Sequence, residues 1–117
     1  MNYSQRDLVW LNDPPTMPDG EILDHPVLII SCRAANCKED YYTAIMMTAS
    51  SYRDKFSYLL EADMFESPTI KKGCQLRLYI IFSLREFQIK KFANRMKLPH
   101  FKPVLKQISD YVLCADS

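Results

Sequence analysis

Five short runs rich in β-branched and aromatic residues, each closed by turn chemistry, constrain the fold of this chain more than any other feature. The first, Asp7 to Asn12, is stopped by Asp13-Pro14-Pro15, residues that cannot continue a ladder. His25-Pro26 opens the second, Val27 to Cys32, a continuous apolar run that reads as a strand buried on both faces. Tyr41 to Thr48 is the third, ending in the small polar cluster Thr48-Ala49-Ser50-Ser51; Phe56 to Glu61 and Cys74 to Phe82 are the fourth and fifth. Between Arg33 and Asp40 the chain is polar and has no apolar periodicity, so it reads as a connection. Strands spaced by about 10 to 20 residues, with no βαβ pattern, predict a mainly β fold of the α+β kind, a small antiparallel barrel or strongly curved sheet.

The tail changes period. Phe101, Val104, Leu105, Ile108, Tyr111 and Val112 follow the i, i+3, i+4, i+7 pattern, which predicts a terminal helix begun at Pro99, with Pro103 accommodated in its first turn. Residues 84–97 stay open between a helix, for which Ser83-Leu84-Arg85-Glu86 would be a capping box, and a strand, for which Glu86 to Lys90 alternate. Asn12 to Asp24 holds three of the seven prolines and one of the two glycines and reads as a long exposed loop, a length that favours a binding or gating role.

With 117 residues, 48% hydrophobic and 25% charged, the chain has material for a single domain over 1–117. No apolar run approaches the roughly 20 residues of a bilayer span, and no signal peptide is readable, so a cytoplasmic protein without a membrane partner is expected. The four cysteines, Cys32, Cys37, Cys74 and Cys114, have no C-x-x-C spacing; reduced thiols are expected, with no metal site. No Gly-rich loop or Walker-type spacing occurs, which removes nucleotide-driven catalysis, and no other cofactor is expected. The net charge of +1 hides a division: residues 1–67 hold eleven Asp/Glu against five Lys/Arg, residues 68–117 ten Lys/Arg against three Asp/Glu. From Ile89 to Lys106 there are six cations (Lys90, Lys91, Arg95, Lys97, Lys102, Lys106) and no carboxylate, a density suited to a polyanion or an acidic peptide. Trp10, Tyr41, Tyr42 and Tyr52 are candidates to stack on unpaired bases, although packing at the core or its rim suits most of them better.

Taken in order, Arg6 to Leu11, Pro15-Thr16, His25-Pro26-Val27-Leu28-Ile29-Ile30-Ser31, Thr48-Ala49-Ser50-Ser51 and Cys74-Gln75-Leu76-Arg77 resemble the MazF/PemK/Kid toxins, the messenger-RNA-cleaving members of bacterial type II toxin–antitoxin pairs. The resemblance covers nearly the whole chain. It implies an SH3-like barrel with a C-terminal helix packed on it, a homodimer, cleavage of single-stranded RNA without metal, and restraint by an acidic antitoxin. It also places His25 where the family carries a catalytic arginine and Cys74 where some members carry an aspartate, while Thr48, Gln75 and Arg77 match. His25 and Thr48 are therefore the candidate catalytic residues, His25 as acid or base and Thr48 as a hydrogen-bond donor. Thr16, Ser50, Ser51, Lys72, Gln75, Arg77 and Arg85 are the candidate substrate contacts, the lysine and arginines as phosphate cations. Loss of the arginine leaves a second reading, a catalytically impaired barrel that only binds RNA or protein; an unrelated barrel for Pro-rich peptides is a third.

Overall fold

The computed structural model describes residues 2–14, 16, 20, 25–68, 70 and 72–117. Its strands are β1 (Asp7–Leu11), β2 (Val27–Ile29), β3 (Tyr41–Thr48), β4 (Ser57–Leu59), β5 (Gln75–Arg85) and β6 (Ile89–Arg95); its helices are α1 (Arg33–Glu39) and α2 (Leu98–Tyr111). Single 3₁₀ turns lie at Ala62–Met64 and Glu86–Gln88. The strands form one antiparallel sheet in the order β4-β5-β3-β2-β1-β6. The sheet is curved and open, with β4 and β6 at its edges, so the mainly β architecture with a C-terminal helix stands and the barrel is incomplete.

Curvature comes from β5. Ile45 of β3 faces Ile81, but the next residue, Met46, faces Arg77, so Leu78, Tyr79 and Ile80 bulge out opposite a single step of β3. A bulge bends and twists the strand that carries it. The N-terminal end of β5 is thereby shared between β3 and β4, and the Leu78 amide donates to the Phe56 carbonyl (2.9 Å). The five expected strands are present. Residues 84–97 resolve into the end of β5, a 3₁₀ turn and a sixth strand, because Ile89 and Asn94 face the interior while Lys90 and Lys91 face water.

Both faces of the sheet are buried, as alternation along β3 requires: Ile45 and Met47 enter one apolar layer, Tyr42, Ala44 and Met46 the other. Helix α2 covers the first layer with Phe101, Val104 and Ile108, each burial contributing about 1.5–3 kcal/mol. Two corrections concern helices. Arg33 to Glu39, expected as a plain connection, is α1; its single buried residue is the polar Asn36, so no apolar stripe marks it. The C-terminal helix starts at Leu98, which moves Pro103 out of the first turn into the helix proper. Within Asn12 to Asp24, residues 12–14, 16 and 20 are exposed, and residues 15, 17–19 and 21–24 lie outside the described residues. Among the described residues no helix is long and apolar enough to cross a membrane.

Candidate functional site

The strand register gathers the site at one end of the sheet. Thr48, the last residue of β3, pairs with Gln75, the first of β5, and Met46 pairs with Arg77, which in turn pairs with Ser57 of β4. Val27, the first residue of β2, pairs with Met46, so His25, two residues before β2, lies toward the same end of the sheet as Thr48, two residues beyond Met46. Thr48 and Gln75 thus stand opposite each other on adjacent strands, with His25 just outside β2 toward the same end of the sheet. Directly opposed residues share a face, so Thr48 and Gln75 lie on one side.

Gln75 has no exposed surface, and its amide nitrogen donates to the backbone carbonyls of Ser50 (2.8 Å) and Tyr52 (2.6 Å). Its carbonyl oxygen accepts from Nη1 of Arg77 (3.2 Å), which is 7% exposed and also reaches Ser57 Oγ (2.5 Å) and Asp54 (3.4 Å). Desolvation works against the ionised form of Asp54, but the Phe56 amide (2.9 Å) and the Arg77 guanidinium outweigh it and hold its carboxyl below the usual aspartate range. Burial opposes the charge on Arg77 as well, and bonds to Tyr79 and Asp54 more than compensate, so the guanidinium stays charged. This network clamps the loop after β3. Thr48 Oγ1 accepts the Ser50 amide (3.3 Å), which leaves its own hydroxyl hydrogen available to an incoming acceptor.

His25 is half-buried and lies beside two adjoining hollows. One, of about 540 Å³, is lined by Trp10, Met47, Ile70, Phe92 and Asn94 among others; the smaller, of about 310 Å³, by Asn12, Pro14 and Lys90. Trp10, His25 and Lys91 border both, and Trp10 faces Lys91 across the β1–β6 ladder. The result is a groove with aromatic walls, an imidazole and two exposed lysines.

Of the remaining candidates, Ser50 and Ser51 are exposed on the clamped loop; Lys72 is exposed and lines neither hollow, although Ile70 lines the larger. Thr16 is exposed, between residues outside the described set. Arg85 is set apart: it pairs with Tyr41, the first residue of β3, whereas Thr48 is the last, about 23 Å of strand away. Its guanidinium lies over the Tyr41 ring (5.2 Å) and near Phe87 (5.9 Å). Asp54, Ser57 and Tyr79 escaped the sequence reading. Arg77 inside an apolar strand was the available signal, since a buried guanidinium needs a carboxylate, and Arg53-Asp54-Lys55 offers one in the adjacent turn. Cys32, Cys37 and Cys114 are exposed and Cys74 is buried, and among the described residues no His/Cys/Asp/Glu group is compact enough to hold a metal.

No model of a known protein family matches the sequence, and no curated protein does. Solved structures do match. An endoribonuclease from a mycobacterial species superposes with a TM-score of 0.72 at 10% identity, covering 100% of this chain and 97% of that one. MazF from Deinococcus radiodurans gives 0.71 at 18% identity, covering 96% and 97%. The fold is the MazF fold. A mycobacterial endoribonuclease in complex with its cognate antitoxin also matches, at 0.70 and 10% identity over 98% and 99% of the two chains. Within the MazF fold of this chain, His25, Thr48 and Gln75 come from the strand ends that carried the sequence resemblance.

Proposed function

We propose that this chain is a MazF-type endoribonuclease toxin: a cytoplasmic homodimer that cleaves single-stranded RNA without a metal ion and is neutralised by an acidic antitoxin. The observation that supports it most is the cationic, aromatic groove bordered by His25, toward the sheet end that carries the Thr48–Gln75 pair, on a fold that superposes over 96–100% of this chain with a mycobacterial endoribonuclease and with MazF. In the reaction the 2′-oxygen of a ribose attacks the adjacent phosphorus and the bond to the 5′-oxygen breaks, leaving a 2′,3′-cyclic phosphate and a 5′-hydroxyl. One proton leaves the 2′-hydroxyl and one arrives on the 5′-oxygen. His25 serves one of these transfers, an imidazole being able to give or take a proton near neutrality. Thr48 donates to a non-bridging oxygen as charge grows there, and Lys91 and Lys72 offset that charge. Gln75 and Arg77 act through the loop they clamp, because neither presents open surface to a strand lying in the groove.

The test is direct. Purified protein, in buffer containing a chelator, should cut a single-stranded RNA to cyclic-phosphate ends, and its expression should arrest a bacterial host. A host that grows normally while accumulating folded protein would sink the proposal.

One observation favours a second reading, an RNA- or protein-binding module without catalysis: His25 stands where the resembled family has arginine. His25→Arg separates the two. Cleavage that appears only in the variant supports the binding module, and native cleavage removes it.

A further inference from the structure

Beyond the groove, next to the clamped loop, a run of rings and cations makes a second surface. Tyr52 is 64% exposed, Tyr79 50% and Tyr111 48%. The Arg77 guanidinium lies 4.9 Å from the centre of the Tyr79 ring and 5.7 Å from that of Tyr52. Tyr79 meets Phe56 edge-on at 5.7 Å, and Lys55 sits over both Phe56 (5.3 Å) and Tyr111 (5.8 Å). Four rings and two cations follow one another from Tyr52 to Tyr111.

Surface tyrosines do not ordinarily rest on a buried guanidinium that is itself fixed by four neighbours. Here Asp54, Ser57, Gln75 and Tyr79 hold Arg77. The loop beneath is gripped at both ends by glutamines: Gln75 donates to the Ser50 and Tyr52 carbonyls, and Gln107 of α2 to those of Lys55 (2.8 Å) and Ser57 (3.1 Å). Two rings are therefore held half out of the surface on a platform with little freedom left to lose, the arrangement in which stacking a flat partner costs least entropy.

We infer that Tyr52 and Tyr79 form a stacking surface for unpaired bases of the RNA strand that flank the cleavage point. The inference rests on the nuclease reading above and adds a binding surface to it. Flat apolar bases match the exposed ring faces, and a phosphate backbone matches the exposed Arg53 and Lys55, Asp54 being paired with the buried Arg77. A second copy of this chain fits less well, because a two-fold contact here would set two copies of the same net-positive patch face to face. The platform stands beside Thr48, which shares its strand pair with Gln75, so a strand seated at Thr48 extends naturally over it.

The experiment uses the full chain and a twelve-nucleotide single-stranded RNA made uncleavable by 2′-O-methylation, with 2-aminopurine reporting stacking. Tyr52→Ala and Tyr79→Ala should each weaken binding about 5- to 150-fold, the equivalent of one lost stacked base, and should restore 2-aminopurine fluorescence. Tyr52→Phe keeps the ring and should keep the affinity. Circular dichroism and sedimentation of each variant accompany the titration. If the native chain cuts RNA while both alanine variants bind the strand as tightly as it does, the stacking surface is wrong and the nuclease reading stands. If the alanine variants instead dissociate an oligomer with affinity per subunit unchanged, the patch is a contact between copies and the inference is overturned. A native chain that neither binds nor cuts RNA overturns both.

Discussion

An imidazole in place of a guanidinium changes what a site can do with pH. Arginine holds its charge across the accessible range, whereas histidine exchanges its proton between about pH 5 and 8. Cleavage by this chain should accordingly carry a titration in that window, and His25→Ala should lower kcat about 10²- to 10⁴-fold. Thr48→Ala, removing one donor to the transition state, should cost about 10- to 1000-fold. The measurement is a pH–rate profile of native and variant protein on one RNA; equal rates for native and His25→Ala would take His25 out of the chemistry. A second titration concerns stability. The Asp54 carboxyl is held below its ordinary value in the folded chain, chiefly by the Phe56 amide and Arg77 against an opposing desolvation. A depressed folded value means that the unfolded chain binds the proton more readily, so the stabilisation is complete above the usual aspartate range near pH 4 and disappears as pH falls through the lowered value. Urea midpoints should show Asp54→Asn less stable than native at pH 7 and the gap closing as the pH falls below the usual aspartate range. A gap that persists at low pH would mean that the carboxylate's charge is not what holds the loop.

At the scale of elements, what the sequence made legible follows from how each element is held. Strands buried on both faces, such as Val27–Ile29 and Tyr41–Thr48, announce themselves by continuous apolar runs, and α2 by its period. Helix α1 is held differently. The Ser31 hydroxyl donates to Oδ1 of Asn36, Nδ2 of Asn36 returns to the Ser31 carbonyl (3.2 Å), and Oγ of Ser31 accepts the Thr43 amide (2.8 Å). A helix docked through one polar residue leaves no pattern for periodicity to find. Asp40 then ends it in the left-handed conformation (φ 58°), which aspartate tolerates better than most residues. The site was legible to the same partial degree. His25 and Thr48 could be picked from order and residue type, but Asp54, Ser57 and Gln107 reach the loop only because β4, β5 and α2 come together in space. Asn36→Ala should destabilise the protein by about 1–3 kcal/mol, since it takes away the Asn36 partner of the Ser31 carbonyl and of the Ser31 hydroxyl hydrogen in a partly buried place. The urea midpoint should fall with an unchanged slope. A midpoint equal to the native one would show α1 to be held by something other than this pair.

For the whole molecule the decisive quantity is where the charge lies. The basic half of the sequence becomes β5, β6 and α2, and β6 is an edge of the sheet whose Lys90 and Lys91 stand exposed at the groove that His25 borders. Lysines on an edge strand have a structural use, since they discourage another strand from pairing there. They have a different use if a phosphate backbone crosses the groove, and the two are separable because counterion release has a measurable slope. Each phosphate contact on a single strand contributes about −0.7 to the dependence of log K on log salt. Lys90→Ala with Lys91→Ala should therefore flatten the slope for single-stranded RNA by about 1.4, weaken binding most at low salt, and leave the oligomeric state unchanged. If the pair serves only to guard the edge, the double variant will aggregate on concentration while its RNA affinity keeps the native salt slope. Affinities measured from 50 to 300 mM salt alongside light scattering decide between them, and an unchanged slope would move the RNA track away from β6 and onto the side of the sheet where Tyr52 and Arg77 lie.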